Sequence, residues 1–149
     1  MRATVITDAS FCPETKAAGW ACWIRIDGRE TPIKHYGSLK VPVSAAHEAE
    51  MLAALNGLWL AYKYGATSAL LQTDCLAVVN AISGAQNHRK IRARWVEKLA
   101  ACGLTQFPIR ARHVKGHTRI QDARSYVNRW CDAHAKQSMR EQRSAERGA

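Results

Sequence analysis

The feature that most constrains the fold is the segment 3–10, Ala-Thr-Val-Ile-Thr-Asp-Ala-Ser, close to the start of the sequence. Its β-branched residues are typical of a strand, and so apolar a strand is expected to be central in a sheet. Because side chains alternate between the two faces of a strand, Ile6 and Asp8 share one face. An acid among core residues is costly to bury unless a positive charge offsets it, whereas a solvated acid at a strand end costs little. Position alone leaves both interpretations of Asp8 open.

The composition is that of one globular domain, because 149 residues with 47% hydrophobic content can bury a core. We expect residues 1–140 to form this domain and residues 141–149 to be a charged, frayed tail. No apolar run of about 18 residues or more is present, and no signal peptide is visible. We therefore expect no membrane span and a cytoplasmic location. The five cysteines include no Cys-x-x-Cys pair, which disfavours a zinc finger and favours reduced thiols.

The net charge of +10 is unevenly distributed along the sequence. Residues 1–85 contain seven Lys or Arg and seven Asp or Glu, whereas residues 86–149 contain fifteen and five. All of the excess positive charge therefore belongs to the second part. This indicates a polyanionic partner, most simply nucleic acid, although a basic surface without any partner would have the same composition.

Residue patterning predicts the element order β-β-β-α-β-α-α-β-α. The first three strands, within 3–10, 19–27 and 30–39, are joined by short turns and form an antiparallel meander with the third strand nearer an edge. A long helix follows over 45–64, where Ser44 can act as the N-cap. The remaining elements are predicted at 67–73, 75–83, 88–102, 107–114 and 126–140.

One face of the long helix consists of small residues and a single acid, Glu50, with Ala53, Gly57 and Ala61 completing the face. Small residues allow a helix to lie close against a sheet, so Glu50 is predicted above the sheet surface. Glu48 lies about 200° around the helix and fits the role of an acid that interacts with the helix dipole.

Asp74 follows the fourth strand, at the carboxyl end, where open α/β sheets place their sites. The helix–strand–helix order around it makes a βαβ unit, so this strand is expected to run parallel to its neighbour. Aspartate is also a preferred N-cap, and an N-cap role in the next helix would explain Asp74 equally well.

The helix predicted over 88–102 combines an apolar stripe with a strongly basic remainder. A charged helix face is usually just solvated, but five cations within residues 89–98 favour contact with phosphate. The fifth strand and the loop after it add further cations. The candidate nucleic-acid-binding residues are Arg89, Lys90, Arg92, Arg94, Lys98, Arg112, Lys115 and Arg119.

The element order and four of the acids resemble the ribonuclease H family, in its type 1 branch. The segments that carry the resemblance are Ile-Thr-Asp-Ala-Ser at 6–10, Ala-Glu-Met-Leu-Ala-Ala at 49–54, Gln-Thr-Asp at 72–74, Val-Lys-Gly-His-Thr at 114–118 and Cys-Asp-Ala-His-Ala at 131–135. The resemblance spans about residues 2–137. It implies an α/β, ribonuclease H-like fold whose five-stranded mixed sheet, three antiparallel strands and then two parallel additions, is flanked by helices.

The resemblance also implies a catalytic site, in which Asp8, Glu50, Asp74 and Asp132 bind metal and His117 assists proton transfer or product release. Four converging carboxylates repel each other unless divalent cations bind them, and oxygen ligands favour two Mg²⁺ ions, with Mn²⁺ as a substitute. The implied activity is endonucleolytic hydrolysis of the RNA strand of RNA–DNA hybrids, leaving 5′-phosphate and 3′-hydroxyl ends. No small-molecule cofactor is expected, and the protein is expected to be a monomer.

Three segments depart from the family pattern. Ala9 follows the first acid where the family has glycine, residues 13–17 replace a glycine-rich turn, and Ala46-His47-Glu48 replaces Asn-Asn-Arg. In the family these segments sense the 2′-hydroxyls of RNA, so two other substrates remain open: structured DNA, as for a resolvase, or another RNA. A non-catalytic nucleic-acid-binding module is the third interpretation, although four acids would weaken its binding of phosphate.

Overall fold

A computed structural model of the chain describes residues 1–84, 89–115 and 123–148. This part of the chain contains five strands and four helices, in the predicted order. The strands are β1 (Arg2–Phe11), β2 (Ala18–Ile26), β3 (Ile33–Ser38), β4 (Ser68–Thr73) and β5 (Ile109–His113). The helices are α1 (Ala46–Lys63), α2 (Leu76–Ser83), α3 (Arg89–Ala101) and α4 (Ala123–Gly148).

The strands form one mixed sheet in the order β3-β2-β1-β4-β5. The central strand is β1, which pairs antiparallel with β2 and parallel with β4, so that Val5 lies opposite both Ile24 and Leu71. The outer pairs are antiparallel for β2 and β3 and parallel for β4 and β5. The central position of β1 agrees with its apolar sequence, and the sheet confirms the predicted α/β fold.

Helix α1 packs closely on one face of the sheet, as its small residues predict. A Cβ atom at Gly57 would lie 2.8 Å from both Thr7 Cγ2 and Val5 Cγ1, so only glycine permits this approach. The helix ends shortly before Gly65, whose φ of +99° is a left-handed conformation that favours glycine. This packing brings Glu50, near the start of α1, above the end of β1.

Helix α4 covers part of the opposite face. Ile6 lies between Val5 and Thr7 on β1, and its side chain points to the face opposite α1. It packs there with Cys131 and Ala135 of α4. Gly19 on β2 permits the close approach, because a Cβ atom there would overlap the carbonyl oxygen of Ala135. Among the described residues, α4 packs against β1, β2 and β3 but not against β4 or β5.

The start of α1 differs from the prediction. Its N-cap residue is Ala45, and no side chain caps the helix. The predicted N-cap role of Ser44 is therefore wrong, because its hydroxyl donates instead to Glu48 Oε2 at 2.5 Å. Glu48 is in the first turn, as expected for an acid near the positive end of the helix dipole.

The end of α4 also differs from the prediction. The helix continues to Gly148, so its predicted end at residue 140 is wrong, whereas fraying of the tail over 141–149 stays a prediction. Gln142 explains the extension, because its Oε1 accepts the N–H of Ala18 at 2.7 Å and its Nε2 donates to the carbonyl of Leu39 at 3.2 Å. These partners are more than 100 residues away in sequence.

Three further observations bear on the sequence expectations. Trp95 of α3 is buried, and Ile91, Leu99 and Cys102 pack against the same core, which confirms the predicted apolar stripe. All five cysteines are free, in agreement with reduced thiols. Within residues 1–84, 89–115 and 123–148, no helix is long and apolar enough to cross a membrane.

Candidate metal centre

Three carboxylates converge at one end of the sheet. Ile6 and Gln72 are partners in the parallel pair of β1 and β4, and Asp8 and Asp74 each lie two residues further along. Helix α1 brings Glu50 over the same edge. Carboxylate oxygens of Asp8, Glu50 and Asp74 lie within 4.8 Å of one another, and each of these residues is partly buried.

The backbone of β1 orients two of these acids. The N–H of Ala9 is shared between Asp8 Oδ1 at 3.0 Å and Glu50 Oε1 at 3.3 Å. The other carboxylate oxygen, Glu50 Oε2, is buried and has no hydrogen-bond partner in the described part of the chain. A buried carboxylate oxygen without a partner is costly, and a bound cation would remove that cost.

The acids raise each other's affinity for protons. Burial, followed by the charges of Asp74 and Asp132, raises the pKa of Asp8 to about 7. Burial and the charges of Asp8 and Asp74 raise the pKa of Glu50 well above its ordinary value. The cluster therefore binds positive charge strongly, and its all-oxygen ligands fit Mg²⁺ or Mn²⁺.

Asp74 is free to serve this cluster, because it is not the N-cap of α2. The N-cap residue is Cys75, no side chain caps the helix, and the Cys75 N–H donates to Thr73 Oγ1 at 3.1 Å. His113 was not predicted as a site residue, yet its Nε2 donates to the backbone carbonyl of Asp74 at 3.2 Å. Only the parallel pairing of β4 with β5 places His113 there, so the sequence pattern carries no signal for it.

The other two predicted catalytic residues have different outcomes. Asp132 on α4 is close enough to raise the pKa of Asp8. It lies outside the group of three and pairs with Lys136, with 3.0 Å between Nζ and Oδ2. His117 lies outside the described residues. The catalytic roles of Asp132 and His117 stay predictions, as do those of Asp8, Glu50 and Asp74.

The predicted nucleic-acid-binding residues divide into two groups. Arg92 donates to the carbonyls of Ala81 and Ile82 at the end of α2, and Arg94 lies 3.2 Å from Glu48 Oε2, so these two arginines have partners within the fold. Lys98 is half-buried. Arg94 is exposed despite its contact with Glu48, as are Arg89, Lys90, Arg112 and Lys115, and Arg119 lies outside the described residues.

Comparison with known proteins gives the same fold. A family model described as reverse transcriptase-like matches residues 7–108. No curated protein matches the sequence. Among solved structures, the N-terminal RNase H domain of Rv2228c from Mycobacterium tuberculosis, a fusion with maltose-binding protein, is 20% identical over 97% of both chains, with a TM-score of 0.72. RNase H1 from the halophilic archaeon Halobacterium salinarum is 20% identical over 95% of this chain and 99% of its own, with a TM-score of 0.70. LC11-RNase H1 in complex with an RNA/DNA hybrid is 13% identical over 93% and 97%, with a TM-score of 0.66.

The mixed sheet and the acids at its edge define a ribonuclease H-like fold with a candidate metal site. The structural likeness, at 13–20% identity, establishes the fold. Because the family model matches most of the sequence, the chain belongs to the reverse transcriptase-like family, and its assignment to the ribonuclease H family is confirmed.

Proposed function

We propose that the chain is a metal-dependent endonuclease that hydrolyses the RNA strand of RNA–DNA hybrids and leaves 5′-phosphate and 3′-hydroxyl ends. The observation that carries the proposal is the convergence of Asp8, Glu50 and Asp74, with oxygens within 4.8 Å of one another. Glu50 Oε2, which has no hydrogen-bond partner among the described residues, supports it, because a bound cation would satisfy this buried oxygen. Membership of the ribonuclease H family supports the nuclease class.

The carboxylates of Asp8, Glu50 and Asp74 would hold the metal, with Asp132 as a fourth ligand. Two Mg²⁺ ions, or Mn²⁺ in their place, would supply stabilisation of charge on the phosphate and an activated water for its hydrolysis. We assign proton transfer or product release to His117.

The protein's own contribution is to position these ligands. The Ala9 N–H fixes the relative orientation of Asp8 and Glu50, and His113 restrains the backbone at Asp74. Such fixed ligands need little rearrangement when substrate arrives, which is the basis of electrostatic preorganisation.

Exposed cations would hold the nucleic acid against this site. Arg89 and Lys90 on α3, and Arg112 and Lys115 at the end of β5, are exposed and available to phosphates. Binding through phosphates weakens steeply as salt concentration rises, because released counterions must be taken up again. We therefore expect a steep salt dependence of hybrid binding.

The test is cleavage of end-labelled RNA–DNA hybrid, duplex RNA, single strands and a branched DNA, with Mg²⁺, Mn²⁺ or EDTA. Asp74→Asn should abolish cleavage while preserving the fold, because Asp74 does not cap α2. The matched control is Asp27→Asn, which neutralises an exposed acid in the turn after β2 and should cut normally.

Each outcome distinguishes the candidate functions. Metal-dependent cutting confined to the RNA strand of the hybrid supports the proposal. Cutting of the branched DNA or duplex RNA instead would support the metal centre and assign a different substrate to it. Tight, salt-sensitive binding without cutting of any substrate would identify a nucleic-acid-binding module.

A further inference from the structure

A second basic surface lies on the sheet face that carries α4. Strand register places Arg25, Thr4, Leu70 and Arg110 in one row across β2, β1, β4 and β5. Residues that are opposite each other in a sheet direct their side chains to the same side. Arg25 and Arg110 therefore share one face, at the two ends of the row.

Alternation along the strands adds two more arginines to this face. Arg2 precedes Thr4 by two residues on β1, and Arg112 follows Arg110 by two residues on β5. All of these arginines are exposed, and none forms an ion pair with a carboxylate within the part of the chain that the structure describes. We call this surface the arginine face; its members are Arg2, Arg25, Arg110 and Arg112.

The arginine face includes a depression of about 340 Å³, lined by Arg2, Ser68, Leu70, Pro108 and Arg110 among others. Among the described residues, α4 does not pack on β4 or β5, so the depression lies beside the helix. The strip from β1 to β5 is two inter-strand spacings wide, about 10 Å. A helix of about 10–12 Å diameter along one side would hold a duplex away from this strip, whereas a single strand can reach it.

The arginine face leads towards the candidate metal centre. The direct route along β1 is covered by α4 at Ile6, whereas β4 lies beside the helix, and Asp74 follows Leu70 by four residues along β4. At about 3.3 Å per residue, the row of Arg25 and Arg110 is about 13 Å from Asp74, and Arg2 is about 20 Å away. With about 3.4 Å per nucleotide, a strand would span these distances with about four to six nucleotides.

We propose that the arginine face binds the backbone phosphates of a single-stranded extension of the nucleic acid that occupies the candidate metal centre. That the strand extends from nucleic acid at the metal centre rests on the proposed nuclease function. The binding of phosphates by the arginine face does not depend on it. The planar guanidinium group forms two parallel hydrogen bonds with a phosphate, so arginine suits this task better than lysine. Four exposed arginines that have no carboxylate partner in residues 1–84, 89–115 and 123–148 complement a continuous anion.

Binding measurements on an Asp74→Asn background, with Mg²⁺, test the proposal without cleavage. The ligands are a blunt hybrid of about 12 base pairs and the same hybrid with a single-stranded extension of about eight nucleotides, enough to reach Arg2. The extension should tighten binding roughly tenfold. Arg25→Gln with Arg110→Gln should abolish this gain, leave blunt-hybrid affinity unchanged and make the log–log salt slope shallower by about 1.4.

The control pair is Lys40→Gln with Arg140→Gln, which removes the same charge from exposed positions outside the arginine face. This pair should retain the gain from the extension. The proposal would be overturned if both double variants lost the affinity gain from the extension equally, or if the arginine double variant kept that gain. Equally effective displacement of the extension by a poly-glutamate peptide would also overturn it and point to an acidic protein partner.

A separate measurement keeps the two proposals distinguishable. If the blunt hybrid is neither bound nor cut, the proposed nuclease function fails. The affinity for the free single strand then tests the arginine face. The proposal requires that the variant lacking Arg25 and Arg110 binds this strand more weakly than the variant lacking Lys40 and Arg140. Equal binding by the two pairs would refute it.

Discussion

Substitution of Asp8 by asparagine should make the metal-free protein more stable at neutral pH, although it removes a candidate metal ligand. Burial and the charges of Asp74 and Asp132 raise the pKa of Asp8 from 3.8 to about 7. In the unfolded chain Asp8 loses its proton near pH 4, whereas in the folded protein it keeps that proton until about pH 7. The folded state therefore loses stability as the pH rises through this interval, and the loss stays constant above it.

The magnitude follows from the same values. A pKa of about 7 in place of 3.8 corresponds to about 4 kcal/mol of free energy of unfolding, at about 1.4 kcal/mol per pH unit. Asparagine keeps a side-chain oxygen for the Ala9 N–H and carries no charge. Relative to the wild type, Asp8→Asn should therefore gain about 4 kcal/mol between about pH 4 and pH 8.

The assay is urea unfolding followed by far-ultraviolet circular dichroism, in EDTA, at about pH 4, 6 and 8. Asp27→Asn is the control, because it neutralises an exposed carboxylate outside the cluster and should follow the wild type at every pH. Mg²⁺ at pH 8 should raise the stability of the wild type more than that of Asp8→Asn. Parallel pH curves for Asp8→Asn and the wild type would refute the reasoning, because Asp8 would then not be buried among like charges.

Three other predictions follow from particular contacts. Mg²⁺ at about ten times its Kd should stabilise the wild type by about 1.4 kcal/mol, and thermal unfolding should show a smaller shift for Glu50→Gln. Gly57→Ala should cost about 1–3 kcal/mol in urea unfolding despite the higher helix propensity of alanine, because its Cβ would lie 2.8 Å from Thr7 Cγ2; unchanged stability would show that α1 can shift at no cost. Gln142→Ala should lose about 1–2 kcal/mol and speed hydrogen exchange at the Ala18 amide, whereas exchange at its wild-type rate would mean that Gln142 does not hold the end of α4.

Much of the fold was predictable from local patterns. The β-branched segment of β1 predicted a central strand, and the small residues around Gly57 predicted a helix lying close to the sheet. The start of α1 was less predictable, because Ser44 could form either an N-cap or a hydrogen bond to Glu48. The two alternatives differ by a single hydrogen bond, and local sequence does not choose between them.

The end of α4 depended on distant residues. A charged segment without an apolar stripe predicts fraying, but Gln142 bonds the backbone at Ala18 and Leu39. Those partners come from the start of β2 and the segment after β3, and their positions follow from sheet order rather than from the sequence around Gln142.

The sequence by itself determined which acids stand at the ends of elements, because strand alternation and the helical period place Asp8 and Glu50 on definite faces. Only the tertiary structure removed the N-cap role of Asp74 and placed its carboxylate near Asp8 and Glu50, and only the packing of α1 over β1 left Glu50 Oε2 buried without a partner among the described residues. The arginine face likewise required the register of four strands. The physical reason is that periodicity along a chain sets the direction of a side chain, whereas distances between charges depend on which strands become neighbours.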